Sequence, residues 1–231
     1  MREIILDTET TGLEAMNGDR IVEIGCVETI NHAPTGEVFH VYLNPERAMS
    51  ADSIRITGLT DDFLADKPVF AAIQREFLEF LGDAPLVIHN AAFDMRFLNM
   101  ELTRARGGAL SDNRVVDTLA IAKKRFPGAQ VSLDALCRRF NVDNSGREKH
   151  GALLDAELLA EVYLELRGGR QPGLALAASA IGSASATSDS PGCVVSKTRP
   201  PRKSLLTESE AAAHAAFVES LGDESLWPRA E

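Results

Sequence analysis

The feature that most constrains this chain is a pair of acids at the end of an apolar run. Ile4-Ile5-Leu6 leads straight into Asp7-Thr8-Glu9. Glu3 to Thr10 reads as a buried strand, and the two-residue repeat of a strand puts both carboxylates on one face. Two acids placed there repel each other and lose hydration unless positive charge lies between them. A hard divalent cation answers both costs. The competing reading is a strand end on which both acids stay solvated. Thr10-Thr11-Gly12 follow, and a Gly-containing turn lets the backbone come close to a ligand.

The remainder of the first 167 residues reads as mixed α and β. Ile21 to Ile30 and Val38 to Leu43 alternate with β-branched residues, and turn chemistry at Pro34 to Gly36 makes them a hairpin. Phe70, Ile73, Phe77, Leu78 and Leu81 recur at helical spacing. Pro85 to Ile88 is a short buried strand, and Phe93, Phe97, Leu98 and Leu102 form the next helix face. Val115-Val116 is a brief strand. Helices near 117–126 and 132–140 come next, and Leu153, Leu154, Leu158, Leu159 and Val162 mark a last one. Strands first, then strand–helix alternation, give an α/β fold: a mixed sheet flanked by helices.

Two more polar clusters sit on this frame. His89-Asn90-Ala91-Ala92-Phe93-Asp94 ends a strand and opens a helix with an acid in its first turn. Helix-dipole complementarity alone accounts for such an acid, and turn formation alone accounts for His89 and Asn90. In His150-Gly151-Ala152-Leu153-Leu154-Asp155, an acid interrupts an apolar helix face. Gly151 loosens the backbone before the helix, so that His150 can approach the face to which Asp155 points. A structural histidine is the alternative, yet imidazole is also the side chain suited to proton transfer near neutral pH. Together the three clusters form an ordered set of four carboxylates and one histidine. That set is what a two-metal phosphodiesterase needs. The acids hold two divalent ions about 3.5–4 Å apart and the histidine takes the proton of the attacking water.

Composition narrows the classes. No run of about 18 apolar residues exists, so a membrane-spanning helix is not expected. The acidic start lacks the basic, then apolar, pattern of a secretory signal, so export is not expected. Three cysteines, Cys26, Cys137 and Cys193, are odd in number and far apart. They suit a reducing cytosol better than a disulfide or zinc framework. The formal net charge is −10, which argues against a broad basic surface that grips nucleic acid by counterion release.

The segments LDTETTGL (6–13), IVEIG (21–25), VIHNAAFD (87–94), DTLAIAKKRFPG (117–128), SLDALCRRF (132–140) and HGALLDAELLAEVYL (150–164) carry a resemblance. The chain resembles the DEDDh exonucleases of the ribonuclease H-like superfamily, and within them the epsilon family of proofreading subunits of bacterial DNA polymerase III. The resemblance spans nearly all of residues 1–169. It implies a ribonuclease H-like fold with a five-stranded mixed sheet, 3′→5′ hydrolysis of single-stranded DNA ends, and two Mg²⁺ or Mn²⁺ ions as cofactors. It implies Asp7, Glu9, Asp94 and Asp155 as metal carboxylates and His150 as the general base. Thr10, Gly12, His89, Asn90 and Phe93 join Asp7, Glu9 and Asp155 as the substrate contacts it implies. The family touches the terminal nucleotide with a loop after the third strand, carrying a Glu and, five residues on, a His-Gly pair. The matching positions here are Asp52 and Thr57-Gly58. Asp52 keeps an acceptor for a sugar hydroxyl, whereas Thr57 offers no imidazole edge. A free-standing DEDDh enzyme trimming RNA or short oligonucleotides shares every catalytic residue, and a non-catalytic scaffold is a third reading.

Three parts are expected: an exonuclease domain over 1–169, a flexible linker over 170–203 and a C-terminal segment over 204–231. Residues 168–203 are built mostly of Gly, Ala, Ser, Thr and Pro, with five basic residues against one acidic. Such a stretch buries too little apolar surface to offset its ordering entropy. Within it, Gln171 to Leu176 is similar to the family's sliding-clamp motif, with Leu176 in place of the usual aromatic. Thr207-Glu208-Ser209-Glu210 has the spacing of a helix N-cap, Ala211 to Leu221 continue a short helix, and Gly222 ends it. Trp227, the only tryptophan, reads as an anchor for a partner. The resemblance makes that partner the polymerase subunit, bound through 204–231 in a cytoplasmic, nucleoid-associated assembly. The charge then divides: four acids sit on cations, the linker is basic, and the acidic surface and tail leave DNA holding to the polymerase.

Overall fold

The computed structural model describes residues 1–146, 149–169 and 207–220. The chain divides into two units, Met1–Ala177 and Ala178–Glu231. In the first, β1 (Arg2–Thr10), β2 (Ile21–Ile30) and β3 (Ala33–Tyr42) form an antiparallel meander. Strands β4 (Leu86–Ile88) and β5 (Val115–Asp117) add in parallel on the other side of β1. The order β3-β2-β1-β4-β5 gives the expected five-stranded mixed sheet, with β1 at its centre. Helices α1 (Ala51–Thr57), α2 (Asp61–Leu64), α3 (Phe70–Leu81), α4 (Ala91–Arg104), α5 (Thr118–Arg125), α6 (Leu133–Phe140) and α7 (Ala152–Leu166) complete the unit.

Alternation along β1 decides what each face holds. Ile4 and Leu6 join Phe70, Phe77 and Leu81 of α3 and Phe97, Leu98 and Leu102 of α4 in the largest apolar cluster. Ile5, pointing the other way, packs with Val27 and Val87 against Ala156, Leu159, Ala160 and Tyr163 of α7. Burying a side chain such as Phe77 or Phe97 contributes about 1.5–3 kcal/mol. The odd-numbered residues Glu3, Ile5, Asp7 and Glu9 therefore share the α7 face. A third cluster ties α5 and α6 to α7 through Ala122, Leu136, Cys137, Leu158 and Val162.

Two local expectations are corrected. The hairpin turn falls at Asn31-His32, both at positive φ (53° and 67°), the arrangement that a two-residue turn of matching twist requires. Pro34 to Gly36 lie inside β3, where the register slips between Val27 and Thr29 and Gly36 takes φ 93°. Turn residues here build a bulge on an edge strand, a position that tolerates proline. The loop expected after β3 folds into α1 and α2. Ser50 accepts from the Ser53 amide and Thr60 from the Phe63 amide, so each is a capped start that the helices' brevity hides.

In the second unit the described residues form α8 (Glu208–Ser220). Its start is the reciprocal cap that the spacing predicts. The Thr207 amide donates to Glu210 Oε2 at 2.9 Å, and the Glu210 amide to Thr207 Oγ1 at 3.3 Å. Gln171 to Leu176, the linker, Gly222 and Trp227 lie outside the described residues. Among the described residues no helix is long and apolar enough to cross a membrane.

Candidate active site

β1 and β4 run parallel, and β1 extends past the end of β4. An open cleft of about 540 Å³ lies at these ends, lined by Asp7, Thr8, Glu9, His89, Asn90, Phe93, Asp94, Leu119, Ser132, Leu133, Asp134, His150 and Asp155. Position at the carboxyl ends of parallel strands is where α/β sheets collect ligand-binding groups.

Asp7 and Glu9 occupy the α7 face of β1, as the two-residue repeat predicts. Asp7 stands opposite Gly25 of β2. A methyl group on Gly25 would run into the Ala152 carbonyl carbon and the Leu153 amide. The missing side chain thus lets the first turn of α7 lie directly on the sheet, which brings Asp155 to Glu9 and into the cleft that Asp7 also lines. Asp155 is buried, and its Oδ2 lies 3.4 Å from Nδ1 of the half-exposed His150. One ligand atom each from Glu9, His150 and Asp155 lies within 4.8 Å of the others. Gly151 is extended (φ −150°, ψ 130°), a conformation open to any residue. The approach of His150 therefore does not draw on glycine flexibility.

Asp94 arrives from the opposite face. It sits in the first turn of α4, 2% exposed, and receives the Thr8 hydroxyl at 2.7 Å. Thr8 points away from α7 because it lies between Asp7 and Glu9, so one three-residue stretch reaches both halves of the site. Burial pushes the Asp94 carboxyl up to about 7 despite hydrogen bonds from Thr8 and the backbone that hold it down. A buried acid so raised favours either a proton or a cation beside it. The donor set, all carboxylate oxygens and one imidazole, suits a hard divalent metal.

The wall between α4 and α6 carries the remaining polar groups. His89 Nδ1 lies 2.9 Å from Thr118 Oγ1, and burial lowers the imidazole's affinity for a proton against the pull of Asp117. Asp117 accepts from the amides of Asn90 and Leu119, capping α5. Phe93 stacks at a tilt on Phe97 with centroids 4.8 Å apart.

Four residues expected as substrate contacts stand outside the cleft walls. The Thr10 hydroxyl donates to the Gly12 carbonyl at 2.6 Å, and Gly12 packs against Asp19. The exposed Asp52 pairs with Arg55 at 2.8 Å. Thr57 is buried at the end of α1, its hydroxyl donating to the Ser53 carbonyl. Sequence reasoning missed Thr8, Gly25 and the α5–α6 wall of Leu119, Ser132, Leu133 and Asp134. Gly25 had a signal, a glycine inside a strongly β-branched strand; the others had none.

Comparison with known proteins agrees with this geometry. The pattern of the Exonuclease family (RNase_T) matches residues 4–163. The DNA polymerase III subunit epsilon of Rickettsia felis is 58% identical over 174 residues, covering 74% of this chain and 76% of its own. The subunit of the same name from Escherichia coli K12 is 42% identical over 236 residues, 98% of this chain and 97% of its own. Among solved structures, exonuclease X in complex with 5′-overhanging duplex DNA is 28% identical with a TM-score of 0.55, covering 71% of this chain and 90% of that one. The nuclease domain of 3′hExo, a DEDDh family member bound to rAMP, shares the fold at a TM-score of 0.63 and 20% identity, with coverage of 71% and 90%.

Proposed function

The chain belongs to the exonuclease family, and on that premise we propose that it is the proofreading 3′→5′ exonuclease of a replicative DNA polymerase, removing mispaired 3′-terminal nucleotides as 5′-monophosphates. The observation that carries this reading is the meeting of Asp7, Glu9, Asp94, His150 and Asp155 in one cleft, drawn from three separate elements. Similarity to the Escherichia coli epsilon subunit over 98% of the chain favours a polymerase subunit over a free-standing trimming enzyme.

Members of this family use divalent metal ions. We assign two of them, Mg²⁺ or Mn²⁺, to Asp7, Glu9, Asp94 and Asp155. When bound, such ions supply Lewis-acid activation of water and neutralise charge on the departing oxygen. The chain's own residues do the rest. His150 takes the proton of the attacking water, and Asp155 beside its Nδ1 stabilises the imidazolium that results. His89, Asn90 and Phe93 form the wall against which a terminal nucleotide rests. A mismatched terminus frays more readily than a paired one, and a cleft that accepts only unpaired ends selects it. Asp52, Thr57, Thr10 and Gly12 are assigned to the approach of the strand outside that wall.

The same reading divides the chain into the exonuclease domain, 1–169, a linker, 170–203, and a polymerase-binding segment, 204–231. Contact with the sliding clamp through Gln171 to Leu176 and a cytoplasmic location at the nucleoid belong to it as well. The test is metal-dependent digestion of a 3′-mismatched against a 3′-paired primer by the full chain, with and without the polymerase subunit. Wild type removes the mismatched end faster, and Asp7→Ala keeps its melting temperature while losing hydrolysis. Activity retained in Asp7→Ala would overturn the assignment.

A further inference from the structure

Beside the cleft lies another buried acid that the hydrolysis itself does not use. Glu23 is 3% exposed and stands directly opposite Glu9 across the β1–β2 pair, so both side chains share the face that α7 covers. Like charges facing each other across strands are destabilising unless one is answered. The answer comes from the edge strand, where His40 Nε2 lies 2.7 Å from Glu23 Oε1. The His40 ring meets Tyr42 edge-on with centroids 4.9 Å apart, and Tyr42 meets Phe63 of α2 in the same way at 5.1 Å. Burial, and then the charge of Glu23, push the Tyr42 hydroxyl up. Glu23 is thus held from β3 rather than solvated.

What Glu23 borders is the segment that carries His150. A methyl group on Gly151 would lie 3.9 Å from Glu23 Oε1. On its other side the segment is tied to the last turn of α1. The His150 amide donates to the Ile56 carbonyl at 3.1 Å, and Lys149 Nζ to the Arg55 carbonyl at 2.8 Å. The segment is therefore bonded to α1 on one side and borders the Glu23 carboxylate on the other, while the His150 side chain stays half-exposed. Proton transfer needs a heavy-atom reach of roughly 2.6–3.2 Å, and a shift of about 1 Å can cost about 10²-fold in rate.

We propose that Glu23, clamped by His40, is a positioning residue that sets where His150 meets the attacking water. The proposal rests on His150 being the base, as assigned above. Truncating either member of the pair removes that border, lets the segment before α7 shift and carries His150 off line.

The test measures kcat and KM of the full chain on a single-stranded DNA oligonucleotide at saturating Mn²⁺. The variants are Glu23→Ala, His40→Ala, His40→Gln, His150→Ala and the Glu23→Ala/His150→Ala double. Glu23→Ala and His40→Ala are expected to lower kcat about tenfold or more with KM little changed. His40→Gln, which keeps a donor for Glu23, recovers most of the loss. In the absence of His150, Glu23→Ala costs nothing further, because the two act as one unit. In metal-free protein the NMR signals of the His150 ring shift in Glu23→Ala and His40→Ala, while the rest of the spectrum is retained. Additive losses in the double variant, an effect confined to KM, or unshifted His150 signals would overturn the proposal. Should Glu23→Ala fail to fold, the two His40 variants decide it. A His150→Ala variant as fast as wild type would instead remove the assignment of the base, a separate failure.

Discussion

At the start of β1, Glu3 lies against α7 with 2% of its surface exposed and receives the Tyr163 hydroxyl at 2.9 Å. His32 Nδ1 approaches its other oxygen to 2.7 Å, though at angles poor for a hydrogen bond. Near the end of β1, Asp94 is equally buried and takes the Thr8 hydroxyl and backbone amides, but among the described residues no basic side chain lies within ion-pair distance of it. Glu101, a third buried acid, takes Arg20 at both oxygens, at 2.6 and 2.9 Å. The difference separates structure from chemistry. The acids that hold the fold each lie against a basic side chain, His32 for Glu3 and Arg20 for Glu101, and the Tyr163 hydroxyl is pushed up to about 12 by burial and by Glu3. At Asp94, the acid proposed above as a metal carboxylate, burial is only partly answered and the carboxyl stays raised.

The sharpest way to break this comparison is to neutralise one acid at each end. Asp94→Asn should lower hydrolysis on the order of 10³-fold, whereas Glu3→Gln should leave the rate within about twofold. Equal losses in a primer-digestion assay would erase the distinction. A smaller effect concerns stability without metal. Asp94 holds its proton more tightly in the folded chain, at about 7, than a carboxyl normally does, at 3.8. Its contribution to stability is therefore present below pH 4 and lost as pH rises through 7. Asp94→Asn should raise the melting temperature of metal-free protein at pH 8 by about 5 °C, and the gain should vanish near pH 4. A constant difference across that range, followed by thermal unfolding, would mean that burial is not what raises the group. The smallest effect is expected for Tyr163→Phe, which should cost about 1–2 kcal/mol in urea unfolding with activity unchanged.

Strong periodicity made much of the fold legible. β1, β2, α3 and α7 match their expected spans because each repeats its apolar pattern over two turns or several strand residues. Helices α1 and α2 were illegible because seven and four residues hold too few turns for a period to show. Pro34 to Gly36 misled because the same residues that make turns also make bulges. At the site, Asp7, Glu9, His150 and Asp155 were legible as acids and an imidazole set against an apolar background. Thr8 was not, since a threonine in a strand needs no explanation until its partner from α4 is known.

The sequence by itself determined which side chains share a face: the two-residue repeat places Glu3, Asp7 and Glu9 on one side of β1 and Thr8 on the other. It also determined the cap of α8, a bond between residues three apart. Only the tertiary structure separated Glu3, a staple between β1 and α7, from Asp94, which lines the cleft, because neither local pattern shows what the acid meets. Their fates depend on what packs across from them, Tyr163 in one case and the mouth of a cleft in the other. Packing of α7 on the sheet settles the first, by bringing Tyr163 to Glu3, 160 residues away in sequence. No local signal carries that distance, since the free energy of a buried charge is set by every neighbour at once.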